Sequence, residues 1–327
     1  MPRPYKHLIV LVSFFALTMA GCAGNRHVAI PIASVEGFND HFYPGQIIFL
    51  SEGKTVSFED LIRQLTKKRL IFVGEAHSNA EDHLIEVQIL QALLARRPRP
   101  DVAMEFFQVD QQQAIDRYFQ GKTGENLFLK EAAWHENWSF PYRYYRPLIL
   151  ATREHDSRLF AINVPRRIVK KVARNGIDSL SPRERNFIAN HIDLTNLEHR
   201  AFLKKIFSQH AHGDLGNFEY FYQAQCVWED TMAEHIAELL KKYPGPLIVF
   251  AGNGHILNRY GIPNRVRRRI TVTMATVVIH AVYRPITFKK NGADFIWLTG
   301  NHLSWHSKKN PWKKTKISDT VTHKKKE

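Results

Sequence analysis

Four short apolar runs in this 327-residue chain each end in residues that can move protons or hold ions. Arg69-Leu-Ile-Phe-Val-Gly74 runs into Glu75 and His77, and Val102-Ala-Met104 runs into Glu105. Leu159-Phe-Ala-Ile162 runs into Asn163 and Arg166, and Pro246-Leu-Ile-Val-Phe-Ala251 runs into Gly252-Asn253-Gly254-His255. Imidazoles and carboxylates gathered in one crevice suit two chemistries. In one, His77 takes a proton and Glu105 orients it. In the other, Glu75, His77 and His255 hold a divalent ion such as zinc, whose open position activates water. Asn163 and Arg166 add an amide and a guanidinium, the latter suited to carboxylate or phosphate.

Such a meeting requires a particular fold. Short apolar runs bounded by Gly, Pro or charge read as buried strands. Between them lie helical patterns: Asn79 to Arg97 (Leu84, Val87, Leu90, Leu93 and Leu94 at helical spacing), Val109 to Gly121, Leu127 to Ala133 and Tyr142 to His155. Strand alternating with helix predicts an α/β fold, a mainly parallel sheet flanked by helices. The carboxyl ends of parallel strands then share one edge, where open α/β sheets bind ligands. Val272 to Val282 reads as the last core strand and Phe295 to Leu298 as an edge strand, with a strand–turn–strand over 46–57 before them. Ser181 to Gly213 is rich in Arg, Glu, His and Asn and shows no strand pattern; with the long helix over 215–242 it predicts a helical subdomain, about 176–242, between the third and fourth core strands.

The ends are of other material. Met1 to His7 carries Arg3 and Lys6, and Leu8 to Ala20 is mostly apolar: a secretory signal over 1–21, too short to span a bilayer. It ends Leu17-Thr-Met-Ala-Gly21-Cys22, which resembles a bacterial lipobox. Cys22 would then be acylated, and Ala23 rather than Asp after it implies the outer membrane. Residues 22–45 read as a linker and 46–306 as the α/β domain. The other cysteine, Cys226, reads as a small buried hydrophobe. The tail over 307–327 holds eight lysines against Asp319 and Glu327, supplies +6 of the net +15 and has the composition of a disordered segment. A basic chain attracts acidic partners; for an exported lipoprotein these are anionic lipids or small molecules rather than nucleic acid.

Aromatics crowd into Trp134 to Pro147, where Trp134, Trp138, Tyr142, Tyr144 and Tyr145 stand among Arg143 and Arg146. Flat rings interleaved with Arg suit a flat, apolar, anionic ligand. Haem is such a molecule, and phenolate is a ligand for ferric iron. The plainer reading makes Trp134, Trp138 and Tyr145 core residues at helical spacing.

Six spaced motifs resemble the ChaN-like haem-binding uptake lipoproteins, related to the Tiki and erythromycin-esterase-like proteins. They are Gly74-Glu75-x-His77, Glu105-Phe-Phe with Asp110-Gln111-Gln112, Tyr145-Arg146-Pro147-Leu148, Asn163-Val-Pro-Arg166, Gln225-x-x-Trp228 with Met232-Ala233, and Gly252-x-Gly-His255. The resemblance runs from about Gln46 to Val282, leaving Ser181 to Gly213 and the tail unmatched. It implies an iron-uptake lipoprotein of the outer membrane, facing the periplasm, a homodimer with haem bound through a tyrosine at its interface. A partner histidine would meet the propionates. Tyr142, Tyr144 and Tyr145 are the candidate ligands, with Arg143 and Arg146 beside them. For the esterase and Tiki relatives it implies hydrolysis at His77, Glu105 and His255. Two functions therefore remain open: a haem-binding lipoprotein, or a metal-dependent hydrolase or protease.

Overall fold

A computed structural model describes residues 33–210 and 217–300. The signal segment, Cys22 and the lysine-rich tail lie outside the described residues.

Eight strands form the main sheet: β3 (Ile47–Phe49), β4 (Lys54–Val56), β5 (Leu70–Glu75), β6 (Asp101–Gln108), β7 (Leu159–Asn163), β8 (Leu247–Gly252), β9 (Met274–Ala281) and β11 (Phe295–Thr299). Their order is β4-β3-β11-β9-β5-β8-β6-β7. The six from β11 to β7 are parallel, and β3 and β4 add an antiparallel hairpin at one end. The five core strands, the hairpin over 46–57 and the edge strand at Phe295 to Leu298 read from the sequence all join this one sheet. A second, small sheet pairs β1 (Ala33–Val35) with β2 (His41–Phe42) and β10 (Ile286–Phe288). Residues 33–45 are therefore more than the linker expected; strands of two or three residues are too short to show a period.

Helices cover both faces. Along β5, Ile71 and Val73 point into one core with α1 (Phe58–Leu65), α2 (Ala80–Leu94), α3 (Gln112–Phe119), α4 (Glu125–Glu131), α5 (Trp134–Asn137) and α6 (Tyr142–Glu154). Leu70 and Phe72 point into the other, with α10 (Phe218–Lys242) and α11 (Ile262–Arg267). This is the period of two of a strand buried on both sides. Between β7 and β8 the described chain holds α7 (Arg166–Asn175), α8 (Pro182–Arg185), α9 (Leu197–His210) and α10, with turns between them. Local chemistry sets the helix starts: Ser57 caps α1 by accepting from the Asp60 N–H at 3.1 Å, and Asn79 caps α2 by accepting from the Glu81 N–H at 3.0 Å. No described helix is long and apolar enough to cross a membrane.

The outer edge of β7 meets side chains in place of another strand. The Gln112 amide accepts from the Ala161 N–H (2.7 Å) and donates to the Leu159 carbonyl (2.9 Å). One residue thus mimics a strand partner on a sheet edge that would otherwise invite pairing.

Phe250 sits at the centre of β8, 0 % exposed, inside the α2-side core. Phe250→Ala is expected to lower unfolding free energy by about 3–5 kcal/mol in equilibrium urea denaturation.

Candidate active-site crevice

The order β5-β8-β6 brings three strand ends together. Glu75 pairs in register with Gly252, and Met104 pairs with Phe250. β6 does not stop at Met104, where a charge seemed to bound the strand. It continues to Gln108 through an irregularity after Met104, and Glu105 lies within it, fully buried.

Side-chain alternation then divides the polar groups between two faces. On the α2 face, Glu75 accepts a hydrogen bond from His77 Nδ1. His83 on α2 lies 2.9 Å from Glu86 through Nδ1 and 3.2 Å from the His77 carbonyl through Nε2. Asp82 is satisfied by the Ala76 N–H, the Asn79 amide and the Thr299 hydroxyl. Burial, ahead of any partner, raises Asp82 to about 7 and Glu86 to about 8.

On the α10 face, His255 lies between two buried carboxylates. Its Nε2 is 3.3 Å from Glu105 and its Nδ1 is 3.2 Å from Glu229. Gln225 donates to Glu229 at 3.1 Å, and Arg265 reaches Glu229 at 3.2 Å. Burial opposes the charge on His255, but the two carboxylates win and raise it to about 10. Glu105 is held down to about 2 against burial by His255, His77 and the Gly252 N–H, which donates to it at 2.8 Å. Glu229 is held at about 2 by His199, His255 and Arg265, again against burial.

Gly252 joins the faces. A Cβ on it would stand 2.8 Å from the His77 ring and 3.7 Å from Glu105. His77 and His255 thus lie about one carboxylate, as the strand-end reading required, although the pairing differs from the expected one. Glu75, not Glu105, orients His77; Glu105 serves His255. Desolvation lowers the pKa of His77, but Glu75 and Glu105 outweigh it and raise it from its ordinary value. The expected ligand trio of Glu75, His77 and His255 does not converge. Among the described residues, the His, Cys, Asp and Glu group with ligand atoms within 4.8 Å of one another is Glu75, His83 and Glu86.

His77 opens onto a cavity of about 320 Å³, walled by Phe106, Trp138, Phe140 and Trp228, with Asn163 and Arg166 also lining it. Glu229 was missed by the sequence reading; its signal was position i+4 from Gln225 on one helix, next to Trp228. Cys226 is buried beside Arg265, and burial pushes its thiol up to about 12, so it is an inert hydrophobe as expected.

The three candidate tyrosines separate cleanly. Tyr145 is 0 % exposed, its ring 4.3 Å from Phe106 and 4.6 Å from His83, so it is a core residue and no surface iron ligand. Tyr142 and Tyr144 are half-buried and pack against the α2-side core from different sides of α6. The Tyr142 hydroxyl donates to Glu125 at 3.0 Å, and Arg146 grips the same carboxylate at 2.7 Å and 3.0 Å. Tyr144 stacks on His83, with the Arg143 guanidinium 5.1 Å from its ring.

A family model described as haem-binding uptake, Tiki superfamily, ChaN, matches residues 61–266. The chain belongs to this family. Its fold is similar to that of ChaN of Campylobacter jejuni, a structure described as showing cofacial haem binding. The TM-score is 0.62 at 20 % identity, over 77 % of this chain and 95 % of that one. The erythromycin esterase EreC in its open conformation aligns with a TM-score of 0.45 at 12 % identity, over 72 % of this chain and 76 % of that one. Protein RETICULATA-RELATED 5, chloroplastic, of Arabidopsis thaliana is 25 % identical over 256 residues, 72 % of this chain, and this chain spans only 34 % of that protein.

The His255 nest sets a pH dependence. The groups facing the ring are Glu105, Glu229, His77, His199 and Arg265. Because His255 is raised from its ordinary 6.5 to about 10, its contribution is complete below 6.5 and is lost as pH climbs toward 10. Glu105 and Glu229, lowered from 4.5 to about 2, contribute fully above 4.5 and lose this as pH falls toward 2. Denaturation midpoints measured from pH 3 to 10 should fall at both ends of that range, and His255→Gln should flatten the alkaline fall. His255→Gln is also expected to cost about 3–5 kcal/mol at pH 7, since it strands two buried carboxylates. Gly252→Ala should displace His77 and destabilise by about 1–3 kcal/mol in the same assay.

Proposed function

We propose that the chain is an outer-membrane lipoprotein that binds haem during iron uptake, anchored through an acylated Cys22 and facing the periplasm. The observation that carries this reading is the match to the haem-binding uptake family over residues 61–266. Haem is held through a tyrosine at the interface of a homodimer, and Tyr142 and Tyr144 are the residues in play. Both are half-buried on α6, where the exposed Arg143 and Arg146 beside them would meet the propionates. The crevice cavity is not the haem site: about 320 Å³ is at the small end of ligand pockets, which run from about 300 to 1,000 Å³, and suits something smaller than a porphyrin. The domain limits proposed with this reading are a signal over 1–21, the α/β domain to 306 with its helical insertion about 176–242, and a basic tail over 307–327.

A free phenol ligates ferric iron as the phenolate, so the ligand must give up its proton on binding. Burial and Glu125 together raise the Tyr142 pKa. Iron would therefore have to displace Glu125 from Tyr142, and Tyr144 needs no such exchange. Hemin titrated into the purified chain should give a tyrosinate-type ferric spectrum that disappears in Tyr144→Phe or, failing that, in Tyr142→Phe. If both single variants and the double variant keep the spectrum, the ligand lies elsewhere. Incorporation of labelled palmitate that is abolished in Cys22→Ser checks the anchor.

A second reading, hydrolysis in the crevice, has one observation behind it. His77 lines an aromatic cavity while its Nδ1 is fixed by Glu75, the arrangement of an oriented acid–base histidine. His77→Ala with no loss of hydrolysis across a panel of ester and peptide substrates would remove it.

A further inference from the structure

Three buried polar atoms between β5, α2 and α6 have no hydrogen-bond partner: Glu75 Oε2, Glu86 Oε1 and the Tyr145 hydroxyl. Their side chains are 1 %, 0 % and 0 % exposed. Two carboxylate oxygens cut off from water with nothing opposite them carry a large desolvation penalty, which a cation or a proton must offset. The Tyr145 hydroxyl feels the charge of both Glu75 and Glu86.

His83 shows which of the two the geometry favours. Its Nε2 faces the His77 carbonyl at 3.2 Å, and a carbonyl only accepts, so Nε2 carries a hydrogen. Its other nitrogen, Nδ1, lies 2.9 Å from Glu86, so a hydrogen is shared between them and is what a cation at this place would displace. An imidazole whose second nitrogen donates to a backbone carbonyl is the usual state of a metal-bound histidine. The ligand atoms of Glu75, His83 and Glu86 lie within 4.8 Å of one another. Small side-chain rotations bring them to the roughly 2.0–2.2 Å that one ion requires of each.

We infer that Glu75, His83 and Glu86 bind one divalent transition-metal ion, with the Tyr145 hydroxyl facing its fourth position. One imidazole with two carboxylates suits Zn²⁺ or Mn²⁺ over softer ions. The ion ties α2 to β5. Through the other oxygen of Glu75 it also fixes the ring of His77, which makes it a positioning element for the cavity. The site is separate from the His255 nest across the sheet and does not depend on haem binding.

The test uses the full, tag-free chain, stripped with a chelator, equilibrated with Zn²⁺ or Mn²⁺ alone and freed of excess by gel filtration. Bound metal is counted by mass spectrometry and the thermal midpoint is recorded on the same samples. The expected result is one ion per chain, a higher midpoint with metal than without, and loss of both in Glu86→Gln. Tyr145→Phe should keep the ion with affinity weakened about tenfold, and His255→Gln should keep it unchanged. Wild-type chain that retains no ion overturns the proposal and leaves a shared proton between the carboxylates. Metal that survives Glu86→Gln also overturns it, as does metal lost in His255→Gln but retained in Glu86→Gln; the ion then belongs to the opposite nest or to surface histidines. Should Glu86→Gln fail to fold, an unaltered affinity in Tyr145→Phe together with no midpoint shift in wild type is the overturning result.

Discussion

Glu105 is a full negative charge with no exposure to water, and the arrangement around it follows from that. It persists as a carboxylate because His255 stands against one oxygen and the Gly252 N–H donates to the other. That demand fixes the turn after β8, since the backbone at 252 must face Glu105 and leave no room for a side chain. It also fixes α10, whose Glu229 holds the far side of the His255 ring. Arg265 then neutralises Glu229, with the His199 ring 3.4 Å from the same carboxylate, and Asp230 next to it pairs with Arg265 and Arg269. Buried charge thus propagates from the sheet edge through the helix into the segment beyond, each group present because its neighbour needs a counter-charge.

The sequence made the strands and most helices legible because buried parallel strands are continuous apolar runs and the helices carry the 3.6 period. The meeting of His77, Glu105 and His255 followed from topology alone. Their pairing did not, because it depends on which face each side chain takes. Glu105 keeps the parity of Ala103 and so shares the α10 face, while Glu75 keeps that of Ile71 and Val73 and faces α2, a division that the short run Val-Ala-Met did not reveal. Glu229 escaped notice for the same reason: a glutamate inside a 25-residue helix acquires its role only where that helix crosses the sheet. The case of Tyr145 is different. Tyr145, Leu148, Ile149 and Thr152 form a buried stripe at i, i+3, i+4 and i+7, and that pattern was readable. The density of aromatics and arginines in the segment drew attention to ligand chemistry at a position that periodicity assigns to the core.

Family membership and the crevice answer to different parts of the molecule. On α6 the exposed Arg143 and Arg146 stand beside Tyr142 and Tyr144, which are half-buried against the core. The crevice offers a small cavity lined by His77. The two are physically connected: Tyr144 stacks on His83, and His83 donates to the backbone of His77. A ligand that moves Tyr144 therefore presses on the same helix turn that holds the cavity histidine in place.

The glutamine that stands in for a missing neighbour along β7 has a consequence for assembly. With its amide seated on Leu159 and Ala161, that flank offers few open main-chain groups to a second copy. Subunits cannot join by extending the sheet there without first evicting that side chain. Self-association on that side must instead use helices or loops, whose contacts are made by side chains that a bound guest could bridge or rearrange.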